Sequence, residues 1–159
     1  MEQSNILIKD DGQACICDFG RTKLAGDEDY SKTLIGSAYW LAPELINNDD
    51  NLPLPVTCES DMWALGMVVI EVQPIESPAL STHLTHILQL YTGDRPFPNV
   101  RDYVVLQLVA SGSTPRREDY RTVPSAVWQI ISLCWARDPN ERPTIRDFKT
   151  RILSATGGY

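Results

Sequence analysis

The stretch from Thr57 to Val72 constrains this chain more than any other. Met62, Leu65, Val69 and Val72 recur at helical spacing, and apolar residues fill most of the remaining circumference. A helix that is apolar nearly all round predicts the buried centre of a helical body rather than a surface element. Thr57 or Ser60 stands where a cap is needed. The most apolar run, Met62 to Ile70, is about half the length that spans a bilayer, so no membrane segment is expected.

Shorter elements surround this helix. Asn5–Ile8 and Ala14–Cys17 are brief apolar runs joined by Asp11-Gly12, a hairpin turn signal. A ribbon of this size needs something to pack on. Residues 20–39 are polar and rich in Gly, Ser, Thr and Asp, and predict a long loop of the kind that carries function. Pro43 suits a first helical turn, so Ala42 to Ile46 predicts a short helix. Beyond the central helix, three more are expected. Arg101 to Ala110 turns Val104, Val105, Leu108 and Val109 inward, Pro124 to Ala136 is built on Val127, Ile130, Ile131 and Cys134, and Thr144 to Leu153 is capped by Thr144. The expected fold is mainly α with a small β ribbon.

Charge and cysteine usage narrow the function classes. The net charge is −7, and no basic patch stands ready for a nucleic-acid backbone. Acidity is concentrated early: residues 1–80 hold 4 Lys/Arg against 14 Asp/Glu, and residues 81–159 hold 10 against 7. The N-terminus, MEQSNILIKDDG, has no basic flank followed by an apolar core, so no signal peptide is read there. Cys15, Cys17, Cys58 and Cys134 form neither a CxxC pair nor a zinc spacing with His83 or His86. A reduced, cytoplasmic protein is the expectation.

Four short motifs then follow in order. Asp18-Phe19-Gly20 ends the second strand, Ala42-Pro43-Glu44 follows after a loop, Asp61 to Gly66 opens the central helix, and Asp138-Pro-Asn-Glu-Arg-Pro143 precedes the last one. Each alone is weak, but their order and spacing together are specific. On these residues the chain resembles the C-terminal lobe of a eukaryotic protein kinase domain, from Asn5 to Leu153. Gly36 to Glu44 and Cys134 to Pro143 are most similar to the tyrosine-kinase-like group of serine/threonine kinases.

The resemblance implies ATP-dependent phosphorylation of protein Ser/Thr hydroxyls, with ATP and Mg as cofactors and a protein as substrate or partner. Phosphoryl transfer depends on positioning and charge neutralisation by magnesium, which takes hard oxygen ligands. Asp18 matches the main metal ligand and Asn5 the second. Leu7 matches the apolar floor of the adenine pocket, and Cys17 precedes the metal-binding aspartate. Residues 18–44 match the activation segment. Within it Ser37 matches the hydroxyl of the substrate loop, and Tyr30, Ser31 and Thr33 are possible phosphorylation sites. Glu44 and Arg142 match a buried ion pair, and Asp61 matches a carboxylate that accepts backbone N–H bonds from the catalytic loop. Trp63, Trp128 and Trp135 read as core.

Three departures temper the expectation of activity. No glycine-rich phosphate loop, ATP-orienting lysine or glutamate partner precedes Asn5, so residues 1–159 read as a partial, truncated kinase domain. In the pattern H-x-D-L-K-x-x-N, Asn5 sets the register and the catalytic aspartate falls one residue before Met1. Glu2 then stands where a lysine belongs. Residues 72–89 interrupt the pattern: joining Glu71 to Leu90 restores an unbroken kinase-like GMVVIE-LYTGDRPFPN. Valine codons begin GT, a glutamine codon can end AG, and Leu84-Thr85 can encode a branch point, so this stretch reads as a translated intron or a true insert. The expected chain is inactive as written. The alternatives are a pseudokinase-like binding module and a truncated gene-model fragment.

Overall fold

The computed structural model describes residues 3–11, 13–19, 38–47, 56–71 and 95–156. Within them lie a two-stranded antiparallel ribbon and a mainly helical body. Strand β1 (Ile6–Ile8) pairs with β2 (Ala14–Ile16) in the register Ile6↔Ile16, Leu7↔Cys15, Ile8↔Ala14. The connection closes through Lys9 N donating to Gln13 O at 2.9 Å, and Gln13 N to the Asp11 carboxylate at 2.9 Å. Asp11 is thus the turn residue of the expected Asp-Gly pair, its side chain standing in for a backbone acceptor. Gly12 lies outside the described residues.

After a turn at Ala38–Trp40, helix α1 spans Pro43–Ile46, with proline at its first position. Helix α2, Cys58–Glu71, is the expected central helix. Thr57 and Ser60 cap it reciprocally: Ser60 N donates to Thr57 Oγ1 at 3.3 Å, and Thr57 N to Ser60 Oγ at 3.0 Å. Met62, Trp63, Ala64, Met67, Val68, Val69 and Ile70 are all buried. Val72, the last residue of the expected helix, lies outside the described residues.

Helix α3 spans Asp102–Ala110, α4 spans Ser125–Leu133 and α5 spans Ile145–Ala155. On α3, Val105 and Val109 are fully buried, whereas Val104 and Leu108 flank the apolar stripe and are half-buried. Helix α4 stops at Leu133, short of the expected Ala136. There Cys134 N donates to Ile131 O and Trp135 N to Ser132 O, tightening the chain to three-residue turns. Cys134 and Trp135 nevertheless stay in the core. Thr144 Oγ1 accepts Asp147 N at 3.2 Å and caps α5 as expected.

Two close approaches fix how these helices meet. A Cβ added at Gly66 of α2 would stand 2.6 Å from Trp135 Nε1 and 2.9 Å from Cys134 Cβ. Only a glycine lets the Cys134–Trp135 turn seat against α2. Phe97 holds φ 57, a region costly for a bulky residue. Its N–H donates to Tyr120 Oη at 2.9 Å inside the core, so the surrounding packing sustains the conformation.

Candidate functional site

The ribbon brings several of the predicted site residues to one end. Cys17 N donates to Asn5 O at 2.8 Å, continuing the ladder one step past the strands. Asn5 and Cys17 therefore face each other, and Asp18 follows directly. Asp18 has φ 59, the left-handed region. Asp tolerates that region better than most residues, and its use here turns the chain sharply as it leaves the ribbon. An amide oxygen and a carboxylate thus come from adjacent chain ends. Amide and carboxylate oxygens are the hard donors that magnesium takes. Among the described residues no group of three or more His, Cys, Asp or Glu is arranged to hold a metal alone.

Leu7 is 56% and Phe19 65% exposed, while Cys15 and Cys17 are half-buried. Ser37, Tyr30, Ser31, Thr33 and residues 72–89 lie outside the described residues. Asp61 is exposed on the first turn of α2, with no side-chain hydrogen bond among the described residues. Met1 and Glu2, from the loop it is expected to meet, are outside them too.

Glu44 and Arg142, 98 residues apart, are joined by two parallel bonds: Nη1 to Oε1 at 2.6 Å and Nη2 to Oε2 at 2.7 Å. Arg142 Nη1 also donates to Glu59 O at 2.8 Å, and Nε to Ala136 O at 3.0 Å. Its guanidinium lies 5.2 Å from the Trp63 ring centroid. The arginine side chain is fully buried and that of Glu44 is 18% exposed. The guanidinium fork reaches both carboxylate oxygens and two carbonyls at once, four bonds where an ammonium has only three donors. The turn at Pro139–Glu141 aims it there, with Asp138 Oδ1 accepting Asn140 N at 2.9 Å. Nearby, the Glu59 carboxyl is held below its ordinary value, first by the Thr57 hydrogen bond.

Other contacts were not signalled by the sequence motifs. Trp40 Nε1 donates to the buried Glu71 carboxylate at 3.0 Å. Tyr39 Oη donates to Val100 O at 2.7 Å, and Arg95 lies over its ring at 5.6 Å. Burial, then Asp102, pushes the Tyr39 phenol above its ordinary value. Trp63 and Trp135 are core as expected, and half-buried Trp128 stacks on Tyr120 with centroids 5.8 Å apart. Among the described residues no helix is long and apolar enough to cross a membrane.

Comparison with known proteins agrees with this architecture. A family model described as protein tyrosine and serine/threonine kinase matches residues 1–152. The chain is 28% identical over 144 residues to the serine/threonine-protein kinase dst2 of Dictyostelium discoideum, covering 91% of this chain and 11% of that protein. It is 26% identical over 148 residues to the serine/threonine-protein kinase PAK 5 of Rattus norvegicus, covering 92% of this chain and 17% of the relative. It is 25% identical over 159 residues to the serine/threonine-protein kinase PAK 4 of Homo sapiens, covering 99% and 23%. The chain thus spans between about a tenth and a quarter of these relatives' lengths. With a family model matched over almost its entire length, the chain belongs to the protein tyrosine and serine/threonine kinase family.

Proposed function

We propose that residues 1–159 contribute the helical lobe of a serine/threonine protein kinase domain, whose reaction transfers the γ-phosphate of ATP to protein Ser or Thr hydroxyls. The observation that carries this reading is the end of the ribbon, where Asn5 faces Cys17 and Asp18 turns away in the left-handed region. On this reading Asn5 and Asp18 hold the magnesium of the nucleotide, and Leu7 and Cys17 line the base. Ser37 lies in the substrate loop, where its hydroxyl favours Ser/Thr acceptors. Magnesium, when bound, neutralises charge on the phosphates. Glu44 and Arg142 fasten the end of the 18–44 activation segment to the helical body. Gly36 to Glu44 and Cys134 to Pro143 support placement in the tyrosine-kinase-like group.

Rate in such sites comes from preorganised charge in a water-excluded pocket. Leu7 and Phe19 are open to solvent, so the 159 residues by themselves are expected to transfer negligible phosphate. Titration with a fluorescent ATP analogue, with and without magnesium, tests the binding half. Asp18→Ala should remove the magnesium-dependent part of the affinity and leave the remainder. Substantial phosphotransfer by purified 1–159, lost in Asp18→Ala, would overturn the expected inactivity.

A pseudokinase-like binding role is the second reading, favoured by the exposed Leu7, Ile16 and Phe19 on one hairpin. It predicts no magnesium-dependent nucleotide binding at all. Residues 72–89 are proposed to be a translated intron, on the restored motif that joining Glu71 to Leu90 produces. Sequencing the transcript across this junction decides it: a message and protein that keep the stretch make it a true insert.

A further inference from the structure

Two adjacent residues hold both shoulders of residues 72–94. On the near side, Trp40 Nε1 donates at 3.0 Å to the carboxylate of Glu71, the last residue of α2, in a buried bond. On the far side, the Tyr39 ring lies under the Arg95 guanidinium at 5.6 Å, and its hydroxyl donates to Val100 O at 2.7 Å. The two rings meet edge-to-face with centroids 5.8 Å apart, a favoured aromatic geometry. Both side chains are at least nine-tenths buried. The far shoulder is itself stiff. Phe97 sits in the left-handed region with its N–H on Tyr120 Oη, and Val100 N donates to Phe97 O at 3.2 Å.

We infer that Tyr39–Trp40 is a conformational latch coupling the end of α2 to the Arg95–Val100 turn, so that neither shoulder moves without the other. The physical basis is the buried bond. An indole N–H deprived of its acceptor in the core carries a desolvation penalty, and Trp40 relieves it only by shifting. That shift displaces the Tyr39 ring packed against it and, through Tyr39, Val100 and Arg95. The latch stands on these contacts alone. One consequence rests on the kinase reading: the latch begins two residues after Ser37, so it also sets the register of the substrate loop.

Amide hydrogen exchange on the full chain tests the coupling by perturbing one shoulder and reading the other. Glu71→Leu should lower protection at the Phe97 and Val100 amides by roughly ten-fold, the scale of an unsatisfied buried donor. Glu71→Gln, which retains a carbonyl acceptor for the indole, should remain close to the parent. Trp40→Phe supplies an independent break, keeping a ring against Tyr39 while removing the N–H, and should act like Glu71→Leu. Ile131→Val, matched for overall stability, should leave the ratio of Phe97 to core protection unchanged. Loss confined to residues 38–42, or an equal loss in Ile131→Val, overturns the latch. Magnesium–nucleotide binding tests the kinase reading separately, so the two stand or fall on different measurements.

Discussion

Breaking the Glu44–Arg142 pair should cost more than any other single polar change among the described residues. Arg142→Met removes four hydrogen bonds at 2.6 to 3.0 Å and the cation above Trp63. It strands a mostly buried carboxylate and leaves two carbonyls without their donor. Removing one partner of a buried pair costs about 3–5 kcal/mol. At 2–4 °C per kcal/mol for a chain of this size, the midpoint should fall by about 6–20 °C. Glu44→Gln, which keeps one acceptor, should cost less. The double replacement Glu44→Leu/Arg142→Met should cost far less than the sum of its single changes, because no charge is then left desolvated. Thermal and urea unfolding followed by far-ultraviolet circular dichroism measure the midpoint shift and the free energies. A loss below about 1 kcal/mol for Arg142→Met, the scale of an exposed pair, would refute the reasoning, as would strict additivity.

Gly66→Ala should destabilise by about 1–3 kcal/mol in thermal unfolding: its Cβ meets Trp135 Nε1 at 2.6 Å, outweighing the roughly 1 kcal/mol gained in helix propensity. Thr144→Ala should cost about 1 kcal/mol through the lost cap on α5, with Thr144→Ser close to the parent. Burial pushes the Cys134 thiol from 9.0 up to about 12, and Tyr39 is raised as well. Folding therefore favours their protonated forms. That stability is full below pH 9 and is lost as the pH climbs toward 12, a decline that Cys134→Ala should flatten in pH-dependent unfolding. Joining Glu71 to Leu90 should leave the body folded and its midpoint unchanged or higher, since shortening the connection from Glu71 to Arg95 saves about 1 kcal/mol of closure entropy. A deletion protein that fails to melt cooperatively counts against that expectation.

What the sequence revealed and what it hid follow from the range of the forces involved. The central helix was legible because its apolar spacing is local, and so were the Thr57–Ser60 and Thr144 caps and the Asp11 turn. The apolar pattern runs three residues past the end of α4, because Cys134 and Trp135 stay apolar and buried after the backbone tightens. Val104 was expected inside, but pattern alone does not say how wide a buried stripe is. Within the site, the pairing of Asn5 with Cys17 follows from hairpin register. Glu44 with Arg142 came only from family resemblance, since no local rule links residues 98 apart. Trp40 with Glu71 was not foreseen at all. A glutamate at the end of an apolar helix reads as a solvated charge until a tertiary neighbour supplies the donor.

The placement of the four tryptophans gives this protein a built-in optical map. Trp40 touches a carboxylate, Trp63 lies beneath a guanidinium, and Trp128 and Trp135 meet edge-to-face at 5.6 Å. Indole emission responds to nearby charge and to hydration, so Trp40, Trp63 and the Trp128–Trp135 pair report on three different seams. Substituting the tryptophans one at a time would then resolve in wavelength whether the seams between the Ala38–Trp40 turn, α2 and α4 open together or in sequence.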